Sequence, residues 1–203
     1  MTVASRGAIT PELVLDTAMA IACTDGVEAL SMRRLANDLG VRTPTVYWHV
    51  GGRQEILDKL IERLMDEFGR LRPRGKTPAA RISSLCLALL REVRRRPHVI
   101  AISRTAGRGE AIFLRAQEKI AREVEAAGLH GREAAFALRT ILFQLGGFIV
   151  VDFGIAEDTS VHGVTHWQAA DPELRDELSH SIDIDEVFRF SLEAVLARLL
   201  PPA

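Results

Sequence analysis

Apolar residues recur mainly every three or four positions along this chain of 203 residues, which is the period of an amphipathic helix. Thr10-Pro11-Glu12 predicts a helix start, because it combines a capping hydroxyl, an early proline and a carboxylate near the positive end of the helix dipole. Asp25-Gly26 is expected to stop this first helix. Ser31 is expected to cap a short second helix that ends at Gly40.

The helical period continues through most of the remaining sequence. A third helix is expected to open at Thr43 or its neighbour, since Pro44 is tolerated only in the first turn. After Gly51-Gly52, a fourth helix is predicted from about Arg53 to Arg70. Segment 73–77, rich in proline, glycine and basic residues, predicts a linker. Further helices are predicted near 78–96, 98–106, 109–127, 132–153, 172–180 and 183–200, with a loop at 155–171. The predicted fold class is all-α.

Composition narrows the class of protein. A hydrophobic content of 47% can form a sizeable core, and it argues against global disorder. No apolar run is expected to approach the roughly 20 residues that span a bilayer, and the N-terminus lacks a signal-peptide core. We therefore expect a cytoplasmic protein with no membrane partner. Cys23 and Cys86 are expected to be buried free thiols, since disulfides are rare in the cytosol.

The segment from Ser31 to Val50 has the layout of a helix-turn-helix, whose second helix enters the major groove of DNA. Gly40 supplies the tight turn between the two helices. The apolar side chains expected to hold these helices together are those of Ala36, Leu39, Val41 and Val46. Trp48 is predicted to be a packing anchor in the core. The side chains left to contact DNA are Arg33, Arg42, Thr43, Thr45, Tyr47, His49 and Arg53.

The candidate contacts differ in chemistry. Arg33 is suited to a bidentate contact with guanine, and Thr43 and Thr45 to phosphate or the thymine methyl. Arg53 is expected to grip a phosphate together with exposed amides at the start of the fourth helix. The chain's formal net charge of −1 is low for a DNA-binding protein. Residues 31–53, however, carry four arginines against one aspartate, which supplies the local positive charge that phosphate contact needs.

Residues 10–65 resemble the N-terminal domain of the TetR family of bacterial repressors. The residues that carry this resemblance are Gly26, Ser31-Met32-Arg33-Arg34-Leu35-Ala36, Leu39-Gly40-Val41, the run from Pro44 to Val50, Arg53 and Leu57. The run from Pro44 to Val50 is especially close to the tetracycline-repressor branch. Gly51-Gly52 departs from a more usual polar pair, and Arg53 stands where lysine is common. The resemblance implies DNA contacts by the residues matching Arg33, Thr43, Thr45, Tyr47, His49 and Arg53.

The resemblance also implies three functional parts and a homodimer. We expect a DNA-binding domain at 1–53, a connecting helix at 54–72, and a ligand-binding and dimerisation domain at 78–203. Helices near 132–153 and 183–200 are apolar on more than one side, so each must bury more than one face. A four-helix bundle between two copies would do so. The predicted dimer residues are Leu138, Leu142, Leu145, Gly146, Ile149, Phe188, Leu192, Val195 and Leu199.

The function expected from this resemblance is ligand-responsive repression at a palindromic operator in double-stranded DNA. A small-molecule effector would release the homodimer from that DNA. Polar residues that lie in or beside apolar sequence are the candidates to line its pocket: Arg104, Gln144, Asp152, His166 and Trp167. Tetracycline itself is not carried over, since residues 98–106 lack a convincing match to the magnesium-binding histidine pattern of its repressors.

Two other interpretations stay open at this stage. A ligand-independent DNA-binding regulator would share the first domain and lack a cavity in the second. His162 and His166, with Glu157 or Asp158 nearby, could hold a metal ion in an enzyme if they lay on a helix. Because Gly163 favours a loop and no catalytic grouping stands out, we expect no enzyme activity, no cofactor and no metal site.

Overall fold

The computed structural model describes residues 9–108, 111–154, 171–179 and 183–201, with the backbone alone for residues 151–154 and 177–179. Regular structure within these ranges is helical throughout, so the all-α prediction is confirmed. The first helices are α1 (Pro11–Thr24), α2 (Met32–Leu39), α3 (Thr43–Val50), α4 (Arg53–Gly69) and α5 (Pro78–Arg95). They are followed by α6 (His98–Thr105), α7 (Leu114–Ala126), α8 (Gly131–Gly154), α9 (Pro172–Ser179) and α10 (Ile184–Leu199). The loop predicted at 155–171 lies outside the described residues, apart from Asp171.

The early helices begin and end at the predicted capping residues. The Oγ1 atom of Thr10 accepts a hydrogen bond from the Leu13 N–H at 3.2 Å, which caps α1. The Oγ atom of Ser31 accepts from the Arg34 N–H at the same distance and caps α2. Gly40 ends α2 at φ 66°, in the left-handed region that glycine enters without a steric penalty. Local capping chemistry therefore determines where the early helices begin and end.

Packing divides the chain into two compact units. The first unit is Met1–Arg70 with Arg96–Arg115, and the second is Leu71–Arg95 with Ala116–Ala203. Helix α6 thus belongs to the first unit, although it follows the proline- and glycine-rich segment 73–77. The functional domain boundaries expected from the sequence remain predictions.

Helix α4 supplies the central row of the first unit's core. Six apolar side chains of α4, all predicted from their spacing, are at most 1% exposed: Ile56, Leu57, Leu60, Ile61, Leu64 and Phe68. The Phe68 ring packs against that of Phe113, with 5.3 Å between their centroids, and the Arg96 guanidinium lies over it. Helix α1 adds Val14, Ala18, Ile21 and Ala22 to this core.

Three long helices form the core of the second unit. Helices α5, α8 and α10 pack against one another. The buried row of α8 is Ala137, Ile141, Leu145 and Ile149, and that of α10 is Phe188, Leu192 and Leu196. Each row has a spacing of four residues, so each helix turns one face inward and leaves the other exposed.

Helix α8 differs from the expectation that no apolar run reaches the length of a bilayer. Its segment Gly131–Val150 has 20 residues, a mean hydropathy of 1.4 and only 22% of the tested window buried. Length and composition alone would let it cross a membrane. A core helix of a soluble protein meets the same test, so this is weak evidence.

The two cysteines have different surroundings. Both are free thiols, but only Cys86 is buried, and burial raises its pKa to about 12. Cys23 is exposed, so its predicted burial is wrong. It follows Ala22, the last buried residue of α1, and its side chain leaves the core there. The Cys23 Sγ atom lies 3.0 Å from Nε2 of His98, which joins α1 to α6 within the first unit.

The partial burial of His98, together with the nearby Arg96, predicts that stability depends on pH. Burial, and then the positive charge of Arg96, lower the pKa of His98 below its ordinary value. Below about pH 6.5 the unfolded chain therefore takes up a proton that the folded His98 resists, and stability is lost as the pH falls. Above that pH the imidazole is neutral in both states, and this contribution is absent.

We expect the melting temperature of the wild-type chain to fall, relative to that of a His98→Gln variant, between about pH 7 and about pH 5. Thermal unfolding of both proteins followed by circular dichroism measures this difference. A difference in melting temperature that stays constant across the range would contradict the prediction.

Candidate DNA-binding surface

Helices α2 and α3 pack as a helix-turn-helix within the first unit. The turn is closed by a hydrogen bond of 2.9 Å from the Val41 N–H to the Ala36 carbonyl. Pro44 sits in the first turn of α3, where its missing N–H costs no helical hydrogen bond. Val46 is completely buried and Val50 is 2% exposed. These two residues, four apart, turn one side of α3 toward the core.

The opposite side of α3 is accessible. Tyr47 is 51% exposed and Trp48 is 82% exposed. Arg42 and Pro44 are also exposed, and Thr43, Thr45 and His49 are half-buried. The structure therefore brings the predicted contacts of α3 together on a short helix with one accessible face. It does not test whether they contact DNA.

Trp48 corrects the prediction of a packing anchor. At about 100° per residue, Trp48 lies nearly opposite Val46 on the helix, so the rotation that buries the valine exposes the indole. The Trp48 ring meets His49 edge to face, with centroids 4.8 Å apart. The Val46/Val50 spacing was the sequence signal that could have identified Trp48 as an outward residue.

The two arginines of α2 have different surroundings. Arg34 is held by Asp25 at 2.7 Å and Asp38 at 2.9 Å, and these hydrogen bonds, that of Asp38 first, raise the pKa of its guanidinium. Arg33 is exposed and has no ion-pair or hydrogen-bond partner among the described residues. Of this pair, Arg33 has the guanidinium that is available to a ligand.

The guanidinium of Arg53 is bound to backbone carbonyls of its own chain and does not point outward toward a phosphate. Its Nε donates to the Leu30 carbonyl at 2.9 Å, and a terminal nitrogen donates to the Val27 carbonyl at 3.2 Å. At the same helix start, the Glu55 carboxylate accepts from the Gly52 N–H at 3.0 Å. Both the guanidinium and this amide thus have partners within the chain. The predicted phosphate contact remains a prediction.

Two of the five predicted pocket residues have side chains that the structure describes, and they belong to different units. Arg104 is exposed on α6 in the first unit, whereas Gln144 donates to the Ser191 Oγ at 2.7 Å between α8 and α10 in the second. The side chain of Asp152, together with His166 and Trp167, lies outside the described residues. So do His162, Glu157 and Asp158, the other residues of the considered metal site. The described part of the chain contains no cluster of metal-ligating side chains.

Most of the predicted dimer residues face inward or lie at the edge of the core. Leu145, Ile149, Phe188 and Leu192 are buried within one chain. Leu138, Leu142, Gly146, Val195 and Leu199 are half-buried. Among the described side chains of α8 and α10, the large apolar ones that are exposed are Phe136 at 53%, Phe143 at 78%, Val150 at 69%, Val187 at 38% and Phe190 at 75%.

Comparison with known proteins connects this geometry to a family. Residues 14–60 match the family model described as bacterial regulatory proteins, tetR family. The tetracycline repressor protein class D of Escherichia coli is 37% identical over 54 residues, which are 27% of this chain and 25% of that protein. The transcriptional repressor DrrR1 of Streptomyces coeruleorubidus is 41% identical over 63 residues, 30% of this chain and 23% of that protein. The chain thus spans about a quarter of the length of these relatives.

The similarity of fold extends over nearly the whole chain. The TetR family protein ActR of Streptomyces coelicolor, in a crystal structure with (S)-DNPA, has a TM-score of 0.66 and 25% sequence identity. The match covers 96% of this chain and 98% of that chain. Together these comparisons show that the N-terminal part of the chain is similar to TetR-family regulators and that the fold of the chain is similar to that of a TetR family protein. The resemblance predicted from residues 10–65 is confirmed.

Because Val46 is buried and Trp48 is exposed, their replacement by alanine should have unequal effects on stability. Val46→Ala removes two buried methyl groups and should lower the free energy of unfolding by about 2 kcal/mol. Trp48→Ala removes an exposed ring and should change it by less than about 0.5 kcal/mol. Urea unfolding of the two variants beside the wild type measures both changes. A larger loss for Trp48→Ala than for Val46→Ala would contradict this arrangement.

Proposed function

We propose that this chain is a DNA-binding transcriptional repressor that acts as a homodimer on a palindromic operator and responds to a small molecule. The observation that carries the DNA-binding part is the accessible face of α3, which Val46 and Val50 hold in place from behind. A short helix seated in this way matches the shape of the major groove. The cytoplasm, where such an operator is accessible, is the proposed location.

Arg33 and the residues of α3 would make different kinds of contact with DNA. Arg33 would donate two hydrogen bonds to a guanine edge, since its guanidinium has no partner among the described residues. Tyr47, His49 and Arg42 would donate to phosphate oxygens. The side chains of Thr43 and Thr45 would add contacts to phosphate or to a thymine methyl.

The exposure of Trp48 adds it to this surface. Its indole N–H would donate to the sugar–phosphate backbone beside Tyr47. Arg53 would act mainly by holding α3, the helix that reads the DNA, in position. Its hydrogen bonds to Leu30 and Val27 tie the start of α4 to the segment that precedes α2. Any phosphate contact by Arg53 would require the side chain to give up those bonds.

Dimerisation would use the exposed sides of α8 and α10. Phe136, Phe143 and Val150 on α8, with Val187 and Phe190 on α10, leave more large apolar surface in water than isolated surface residues explain. A second copy that covers this surface would also account for the apolar character of α8 without a membrane. The interface would thus use the side of each helix opposite its buried row.

Two copies would place two reading helices on the DNA. For a symmetric dimer, the half-sites of the operator lie about 34–36 Å apart, or a multiple of that distance. An effector that favours a dimer with a different spacing would lower the DNA affinity by the coupling free energy between the two sites. ActR, a protein with a similar fold, was crystallised with a small molecule, which supports ligand response in this chain.

Arg33→Ala should weaken specific DNA binding by about 1–3 kcal/mol without a change in the fold, because the variant loses a base contact. Fluorescence anisotropy with DNA from upstream of the chain's own gene measures the affinity. Arg122→Ala, which removes an exposed arginine from α7, is the matched control. Equal affinities for both variants would remove Arg33 from the contact set.

Phe143→Glu should convert the dimer to a monomer, because a charge at the centre of the apolar surface cannot be buried without a large desolvation cost. Leu174→Glu is the matched control, since Leu174 is 52% exposed but lies on α9. Sedimentation analysis at micromolar concentration measures the mass of each variant. A monomeric wild-type protein, or a dimeric Phe143→Glu variant, would refute the proposed interface.

A further inference from the structure

A groove of about 870 Å³ runs along the second unit between the start of α5, the end of α7 and the second half of α10. Its floor is apolar, formed by Leu87, Leu196 and Leu200, each at most 9% exposed. Alanines line much of its walls, and their short side chains keep it open. Its volume is within the range of about 300–1,000 Å³ that small-molecule sites occupy. None of the pocket residues predicted from the sequence lines it.

The segment before α5 carries two cations, Arg74 and Lys76, which lie in the chain just before the lining residue Thr77. The Arg74 N–H donates to the Oγ of Ser84, a lining residue, at 2.7 Å. Gly75, at φ 133°, lies so close to Ala80 that an added Cβ would come within 2.6 Å of the alanine's own Cβ. The backbone of 74–76 therefore runs against the α5 wall of the groove. Arg74 and Lys76 are exposed there.

The charges around the groove are unequal. Arg189 of α10 lines it, is exposed, and has no ion-pair or hydrogen-bond partner among the described residues. Glu193 is the acidic residue among those that line it. The sequence has no aspartate or glutamate between Glu67 and Glu92, so no carboxylate of that segment offsets Arg74 and Lys76. The lining itself carries one charge of each sign, so the excess of positive charge that an anion would meet comes from Arg74 and Lys76 beside the groove.

The groove lies along the side of α10 that separates its buried residues from its outward residues. At about 100° per residue, the lining residues Arg189 and Glu193 lie between buried Phe188 and exposed Phe190, whereas Ala197, which also lines the groove, lies close to the direction of Phe190. A second copy that covers Phe190 would therefore border the groove at Ala197. Arg189 points away from the side of α10 that such a copy would cover, since it is about 100° from Phe190 and farther from Val187.

We propose that this groove binds an amphipathic anion, a small molecule with a slender apolar body and a carboxylate or phosphate head. The body lies on Leu87, Leu196 and Leu200, and Arg189 holds the head from α10, with Arg74 and Lys76 beside the groove. Charge-assisted hydrogen bonds to a guanidinium are stronger than those between neutral groups, which selects anions over neutral amphiphiles. The proposed ligand gives a chemical class to the effector. The effect of that ligand on DNA binding rests on the proposed function.

Calorimetric titration of the full chain with decanoate tests the site without DNA. We expect saturable binding of one decanoate per chain, and much weaker binding of decylammonium and decanol, which share the apolar body but lack the anionic head. Equal binding of decanoate and decylammonium would overturn the proposal, because it would show an apolar surface with no choice of charge.

Matched variants locate the site. Arg189→Gln should weaken decanoate binding about tenfold, the loss of one charge-assisted hydrogen bond, while Arg198→Gln on the same helix should stay within about twofold. Ala126→Trp should fill the groove from the end of α7 and remove binding, with circular dichroism as the check of folding. If Ala126→Trp does not fold, the arginine pair still decides. Equal effects of the two arginine variants would overturn the site.

Two more measurements separate this proposal from the function that it extends. Decanoate that binds the wild-type dimer should lower its affinity for the upstream DNA. Binding without such an effect would keep the site and refute its role as an effector site. If decanoate binds only to the monomeric Phe143→Glu variant, a second copy occupies the groove and the proposal fails. Failure of the wild-type chain to bind DNA would instead refute the proposed function and leave decanoate binding as measured.

Discussion

Rows of aliphatic side chains spaced four residues apart determine how each functional helix is rotated about its axis. On α3 the row is only two residues long, Val46 and Val50, yet it decides that Trp48 faces outward. On α8, burial of the row from Ala137 to Ile149 likewise leaves Phe143 facing outward. Because burial of these rows removes apolar surface from water, it dominates the rotation, and the exposed side chains take whatever direction remains. The proposed DNA and dimer surfaces both follow from this constraint.

Caps and helix bounds could be predicted from the sequence, because they depend on residues that are close together in the chain. Thr10, Ser31 and Gly40 act on backbone groups within a few positions of themselves, so their local identity is sufficient. The family resemblance rested on the same short-range pattern between Ser31 and Arg53, and the comparisons confirm it. The helix caps and the family resemblance could thus be predicted from residues close together in the sequence, without knowledge of contacts between distant residues.

The rotation of each helix about its axis and the partners of its side chains were harder to predict. They depend on which of several apolar rows is buried by the rest of the fold. In α10, two rows were visible in the sequence, and the structure buries the one that contains Phe188 and leaves Phe190 outside. Arg53 takes carbonyl partners more than 20 positions away, at Leu30 and Val27. The groove combines residues of α5, α7 and α10, which no local pattern connects.

Helix α10 combines these effects, because its circumference is divided among three environments. One side enters the core through Phe188 and Leu192, a second carries Phe190 and Ala194 outward, and a third borders the groove with Arg189 and Glu193. Since a helix is rigid about its axis, a molecule that rotates α10 from the groove side must also rotate Phe190. A dimer held through Phe190 would therefore respond to occupancy of the groove. In the proposed repressor, a change in this interface is the step through which a bound effector would alter operator binding.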